Sequence, residues 1–122
     1  MLYLVVLIGG GIGAVTRFVL SVFIQRYSPD FPLGTFIINI TGALMIGFLS
    51  VYLTESIDAA PAVKLFLITG LLGGYTTFST FTLEGFKLME NGQYLKAFYY
   101  IGGTNIIGFL FIWLGRIIGG LL

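Results

Sequence analysis

The chain has 122 residues, 57% hydrophobic and only 9% charged, with six Lys or Arg against five Asp or Glu and a net charge of +1. Soluble domains carry roughly 25% charged residues, so this composition, with a mean hydropathy of +1.03, excludes a water-facing globule. Cysteine and histidine are absent, which removes disulfides, thiolate and imidazole chemistry and the usual zinc ligands.

The first predicted element is a membrane span over about residues 2–25, an apolar run interrupted once, by Arg17. Its start, Met-Leu-Tyr-Leu-Val-Val, has no basic n-region, so it reads as a span and not as a cleaved signal peptide. Gly9-Gly10-Gly11-Ile12-Gly13-Ala14 matches the glycine pattern of dinucleotide folds, with Asp30 near the place of a ribose-binding acid. That fold needs amphipathic helices with charged outer faces, and the segments that follow are uniformly apolar. The glycines therefore read as packing residues. Gly9 and Gly13, Gly70 and Gly74, and Gly115 and Gly119 are each four apart, a spacing that lets helix backbones approach closely in lipid.

A second span is expected over about 32–53, within the uncharged run Phe31 to Leu53, and it carries Thr35, Asn39 and Thr41. A third, over about 63–86, holds Gly73-Gly-Tyr-Thr-Thr-Phe-Ser-Thr-Phe81 and ends at Glu84. Each of its paired glycines weakens a helix by about 1 kcal/mol relative to alanine, and the adjacent hydroxyls can re-satisfy freed backbone groups. The third helix is thus expected to break near its middle, baring carbonyl oxygens on one side. Carbonyls from two copies meeting at a two-fold axis can enclose a small cation, either structural or transported. Beyond the break Phe78 and Phe81 share a face, and Thr77, Thr80 and Glu84 form the neighbouring row. The fourth span, over about 95–118, places Tyr100, Thr104 and Gly108 on one stripe with Asn105 beside it. Ten-residue polar/apolar alternation is missing, so a β-barrel is excluded in favour of a single four-helix domain over 1–122.

Four spans put Lys64 and Arg116 on one side and Arg26, Lys87 and Lys96 on the other. Two against three is almost no bias, so the chain reads as able to insert both ways and pair with an inverted copy. A weakly biased single orientation is the alternative. Polar groups inside spans are functional by default. The Asn39 amide and the hydroxyls donate hydrogen bonds and the phenyl rings present positive edges, which suits a dehydrated small anion better than a cation. Arg17 either gathers anions at an aqueous mouth or snorkels to a headgroup, and Asn39 is either a path donor or interhelical glue.

The string Gly73 to Phe81 resembles the signature of the Fluc (CrcB-type) fluoride channels. The similarity extends to Gly10-Gly-Ile-Gly-Ala-Val-Thr-Arg17, to Gly34-Thr-Phe-Ile-Ile-Asn39 with Gly42 and Gly47, and to Tyr100 through Gly108. It implies an antiparallel, dual-topology dimer in the plasma (inner) membrane of a prokaryote, with two pores passing fluoride passively to relieve its toxicity. It further implies a sodium ion at the dimer centre, held by main-chain oxygens of Gly73 and Thr76 from both subunits. Phe78 and Phe81 would be the pore rings, Asn39 the pore amide, Ser79, Thr80 and Glu84 the polar track, and Arg17 the vestibule charge. The chain departs from the pattern at Phe18, Ala43-Leu44, Thr104 and Asn105. The partner would be a second copy or an oppositely oriented paralogue, surrounded by lipid.

The reading is therefore a channel and not an enzyme, with a path over Asn39, Thr77, Phe78, Ser79, Thr80, Phe81, Glu84, Tyr100 and Thr104 and no nucleic-acid partner. Two alternatives stand beside it. A small dual-topology multidrug exporter needs a membrane-embedded carboxylate in its first span, where this chain has only Arg17. In a non-transporting assembly protein the polar rows would be helix glue.

Overall fold

The computed structural model describes residues 1–122 and is entirely helical. Helix α1 spans Leu2–Gln25, and α2 spans Leu33–Val51 and runs on through a wide π-helical turn at Tyr52–Ser56. The third crossing comes in two parts. Its first half, α3, covers residues 61–75 as Pro61–Lys64, a π-helical stretch at Leu65–Leu72 and a last turn at Gly73–Tyr75. Its second half, α4, spans Ser79–Glu90, and α5 spans Tyr94–Leu121. Four stretches are long and apolar enough to cross a membrane: Leu2–Gln25, Leu33–Ser56, Pro61–Glu90 and Tyr94–Leu121. The expected break in the third is present, at residues 76–78.

Helix is the natural state of these segments, because hydrocarbon offers no partner for backbone N–H and C=O groups. Of 98 backbone hydrogen bonds, 82 lie within helices, and the ends are closed by local devices. At the start of α2 the Gln25 carboxamide accepts from Gly34 N–H at 3.0 Å and donates to the carbonyls of Ser28 and Phe31 at 2.7 and 2.8 Å. At the end of α4, Gly92 N–H donates to the Met89 carbonyl and Gln93 N–H to that of Leu88, closing a Schellman motif. That motif needs a left-handed residue, and Gly92 supplies it at φ +73°.

Glycine contacts join the helices in pairs. A Cβ on Gly9 would lie 2.6 Å from the Phe66 carbonyl oxygen, and one on Gly13 would strike the carbonyl of Leu71. From the other side, a Cβ on Gly74 would meet the Gly10 carbonyl. The α1–α3 crossing is thus backbone against backbone. The α2–α5 crossing repeats the device: Gly47 faces Ile112, Gly115 faces Leu44, and Gly119 faces Phe48. In lipid, where no hydrophobic force drives helices together, such close packing is the main source of association. Helix α4 is held differently, by a small cluster of Phe81, Leu88, Ala97 and Tyr100, with Phe31, Phe36 and Ile101 against it. Most other large apolar side chains are exposed on the single chain, as a lipid-embedded or partner-covered surface requires.

The crossing geometry sets a stability test. Gly13→Ala pushes a methyl group onto main-chain atoms that cannot move aside, and should cost about 1–3 kcal/mol, read as a lower unfolding midpoint in detergent. Gly11→Ala, where a Cβ would meet nothing within 4 Å, should leave the midpoint unchanged or slightly raised.

Candidate ion pathway

The break gathers most of the polar chemistry. Thr76 is the last residue tied to α3: its N–H and its hydroxyl both donate to the Leu72 carbonyl, at 3.0 and 2.9 Å. There the backbone turns extended, with Thr76 at φ −84° and ψ 160°. Thr77 N–H can no longer reach back along its helix. It donates instead to Asn39 Oδ1 at 2.9 Å, while Asn39 Nδ2 donates to the Thr77 carbonyl at 2.9 Å. One carboxamide therefore replaces both lost backbone bonds of that residue. Arg17 Nε donates to the Gly74 carbonyl at 3.0 Å, and Thr77 Oγ1 accepts from Thr80 N–H at 3.3 Å at the head of α4. The carbonyls of Gly73 and Thr76 receive no hydrogen bond, and Gly73 lies on an exposed face.

Beside the break runs a groove of about 520 Å³, lined by Asn39, Gly73, Thr76, Thr77, Phe78, Phe81, Thr104 and Asn105 among others. No charged side chain lines it. Its ring systems differ in setting: Phe78 is 76% exposed, whereas Phe81 is buried. Their centroids are 6.2 Å apart, and Phe81 meets Tyr100 edge-on at 5.1 Å. The Thr104 hydroxyl oxygen is buried without a partner.

A second cleft of about 530 Å³ is lined by Ser21, Gln25, Asp30, Thr35, Thr80, Glu84 and Lys87 among others. Here Glu84 accepts from the Thr35 hydroxyl at 2.7 Å through one oxygen and from the Tyr100 hydroxyl at 3.2 Å through the other. Tyr100 is fully buried and stands between the two spaces, its ring against Phe81 and its hydroxyl on Glu84.

The structure thus collects Asn39, Thr77, Phe78, Phe81 and Thr104 in one groove with Gly73 and Thr76, and places Thr80 and Glu84 in the other. Ser79 is exposed and lines neither, and Arg17 braces the break from α1. Thr35, singled out by sequence as a polar residue one turn before Asn39, proves to be the hydrogen-bond partner of Glu84. Gln25 fixes the loop ahead of α2, and a glutamine at a span end gives no such signal.

The bared oxygens suit a particular metal class. Main-chain carbonyls are hard, neutral donors that fit an alkali cation, and no cluster of His, Cys, Asp or Glu is placed to hold a divalent or transition metal.

Comparison with known proteins places the chain. Residues 4–116 match the family model described as CrcB-like protein, Camphor Resistance (CrcB). A protein named fluoride-specific ion channel FluC from Hydrogenobaculum sp. (strain Y04AAS1) is 69% identical over 122 residues, the full length of both chains. Proteins of that name from Aquifex aeolicus (strain VF5) and Acidobacterium capsulatum are 45% and 42% identical, covering 93% of each chain and 98% and 96% respectively. This four-span, multi-pass membrane protein belongs to the CrcB-like family.

Proposed function

We propose that the chain is a fluoride-selective channel that lets the ion run passively down its gradient out of the cell. The observation that carries this reading is the groove beside the break, which offers amide and hydroxyl donors and aromatic edges but no carboxylate. A desolvated anion needs donors, whereas a cation path would be lined by carboxylates. The names of the similar proteins agree with it.

Roles follow from the chemistry of each group. Arg17 uses one nitrogen on the break, leaving the rest of its guanidinium to gather anions at the vestibule. Asn39 keeps one N–H beyond those joined to Thr77, and that N–H and the hydroxyls of Thr77, Thr80 and Thr104 replace lost hydration. Phe78 and Phe81 narrow the way and present ring edges. Tyr100 and Glu84 carry the polar track onward into the second cleft.

The exposed Phe78 ring and the near-even charge count support an antiparallel dimer in the plasma membrane, a second copy or an inverted paralogue closing each of two grooves. Gly73 and Thr76 of both subunits would then hold one sodium ion, which supplies positive charge to tie two broken spans together at the dimer centre.

Three measurements test the reading. Liposomes containing the purified protein should release fluoride rapidly and retain chloride; vesicles tight to both ions would leave no channel. Phe78→Ile and Phe81→Ile should each slow fluoride efflux roughly tenfold or more while the dimer survives gel filtration. Undiminished flux would remove the rings from the path. Replacing sodium by a bulky organic cation should loosen the dimer or silence it, and indifference to sodium would reject the central site.

A further inference from the structure

We infer that Asn105 is a further ion-contacting residue, a second carboxamide donor in the fluoride path alongside Asn39. The inference rests on the channel reading proposed above. Asn105 lies well inside α5 (Tyr94–Leu121), where a polar side chain turned to lipid is costly, yet it is exposed on the single chain. Its surroundings explain the exposure: Asn105 lines the uncharged groove that also holds Asn39, Thr77, Phe78 and Phe81.

The hydrogen-bond inventory separates it from a structural amide. Asn39 is joined to another span through both its nitrogen and its oxygen. Asn105 makes one bond, from Nδ2 to the Ile101 carbonyl of its own helix at 2.7 Å, and none to any other span. It therefore glues nothing within the chain. That back-bond restrains the carboxamide and leaves the second N–H uncommitted. Next to it Thr104 lines the same groove, with its hydroxyl oxygen buried and without a partner. There is also room for an ion, because the groove encloses about 520 Å³. A restrained N–H in a groove free of competing charge offers a dehydrated fluoride, the most strongly accepting halide, a short charge-assisted hydrogen bond.

The test compares wild type, Asn105→Leu and Asn105→Asp in sodium-containing liposomes, with gel filtration to assess the dimer. Asn105→Leu keeps the shape and removes the donor, and should slow fluoride efflux roughly tenfold with the dimer intact. Asn105→Asp puts a negative charge at the same point and should slow it further at neutral pH. A dimeric Asn105→Leu protein conducting at the wild-type rate overturns the inference. So does a weakened dimer whose surviving fraction conducts normally, since Asn105 would then be an interface contact. A wild type that passes no fluoride sinks both this inference and the channel reading, whereas a conducting wild type with conducting variants sinks this one alone. Should both variants misfold, the decision falls to ¹⁵N spectra of the wild type. The side-chain NH₂ signals of Asn105 should move with sodium fluoride and not with sodium chloride, and fixed signals would overturn the inference.

Discussion

A backbone that stops being helical inside a membrane must still satisfy its peptide groups, and the rest of this structure follows from how that is done. At residues 76–78 the third crossing leaves its helix, and hydrocarbon offers the freed peptide groups no partner. Asn39 satisfies both the N–H and the C=O of Thr77, Arg17 takes the Gly74 carbonyl, and Thr77 caps the outgoing helix through its own hydroxyl. An unmet buried donor or acceptor costs about 1–3 kcal/mol, so these contacts decide whether the broken form exists at all. The i→i+5 turns at Leu65–Leu72 end one short turn, Gly73–Tyr75, before the break, in keeping with wide turns collecting at functional segments.

The two halves of the broken crossing are anchored to different neighbours. Helix α3 is pressed onto α1 through Gly9, Gly13, Gly70 and Gly74, where main chain meets main chain. Helix α4 is held on α5 by Phe81, Leu88, Ala97 and Tyr100, with side chains interlocking instead. Backbone contact fixes the near side of the break rigidly, while ring packing fixes the far side. The polar connection between them therefore occupies one position, with Phe81 turned inward and Phe78 outward.

Two spaces with different chemistry result. The groove beside the break has donors and rings without charge, and the cleft beyond has Glu84, Lys87 and Asp30 among neutral polar groups. Tyr100 links a lining residue of each through opposite ends of one side chain, its ring on Phe81 and its hydroxyl on Glu84. Glu84 in turn keeps its carboxylate within the span because Thr35 and Tyr100 each donate to one of its oxygens.

Residues close in the chain carried what could be known without coordinates. The uncharged runs imply four crossings, Gly73-Gly74 with the following hydroxyls implies an interruption, and glycines four apart imply close crossings. These are patterns of composition and helical period, legible because neighbours three or four apart share a face whatever surrounds them. The fold alone decided which spans meet. Asn39 and Thr77 are 38 residues apart, Arg17 and Gly74 57, and Thr35 and Glu84 49. No period links such pairs, because they meet through the crossing of separate helices, and only packed helices convert a row of polar residues into a stapled break with a groove on one side and a cleft on the other.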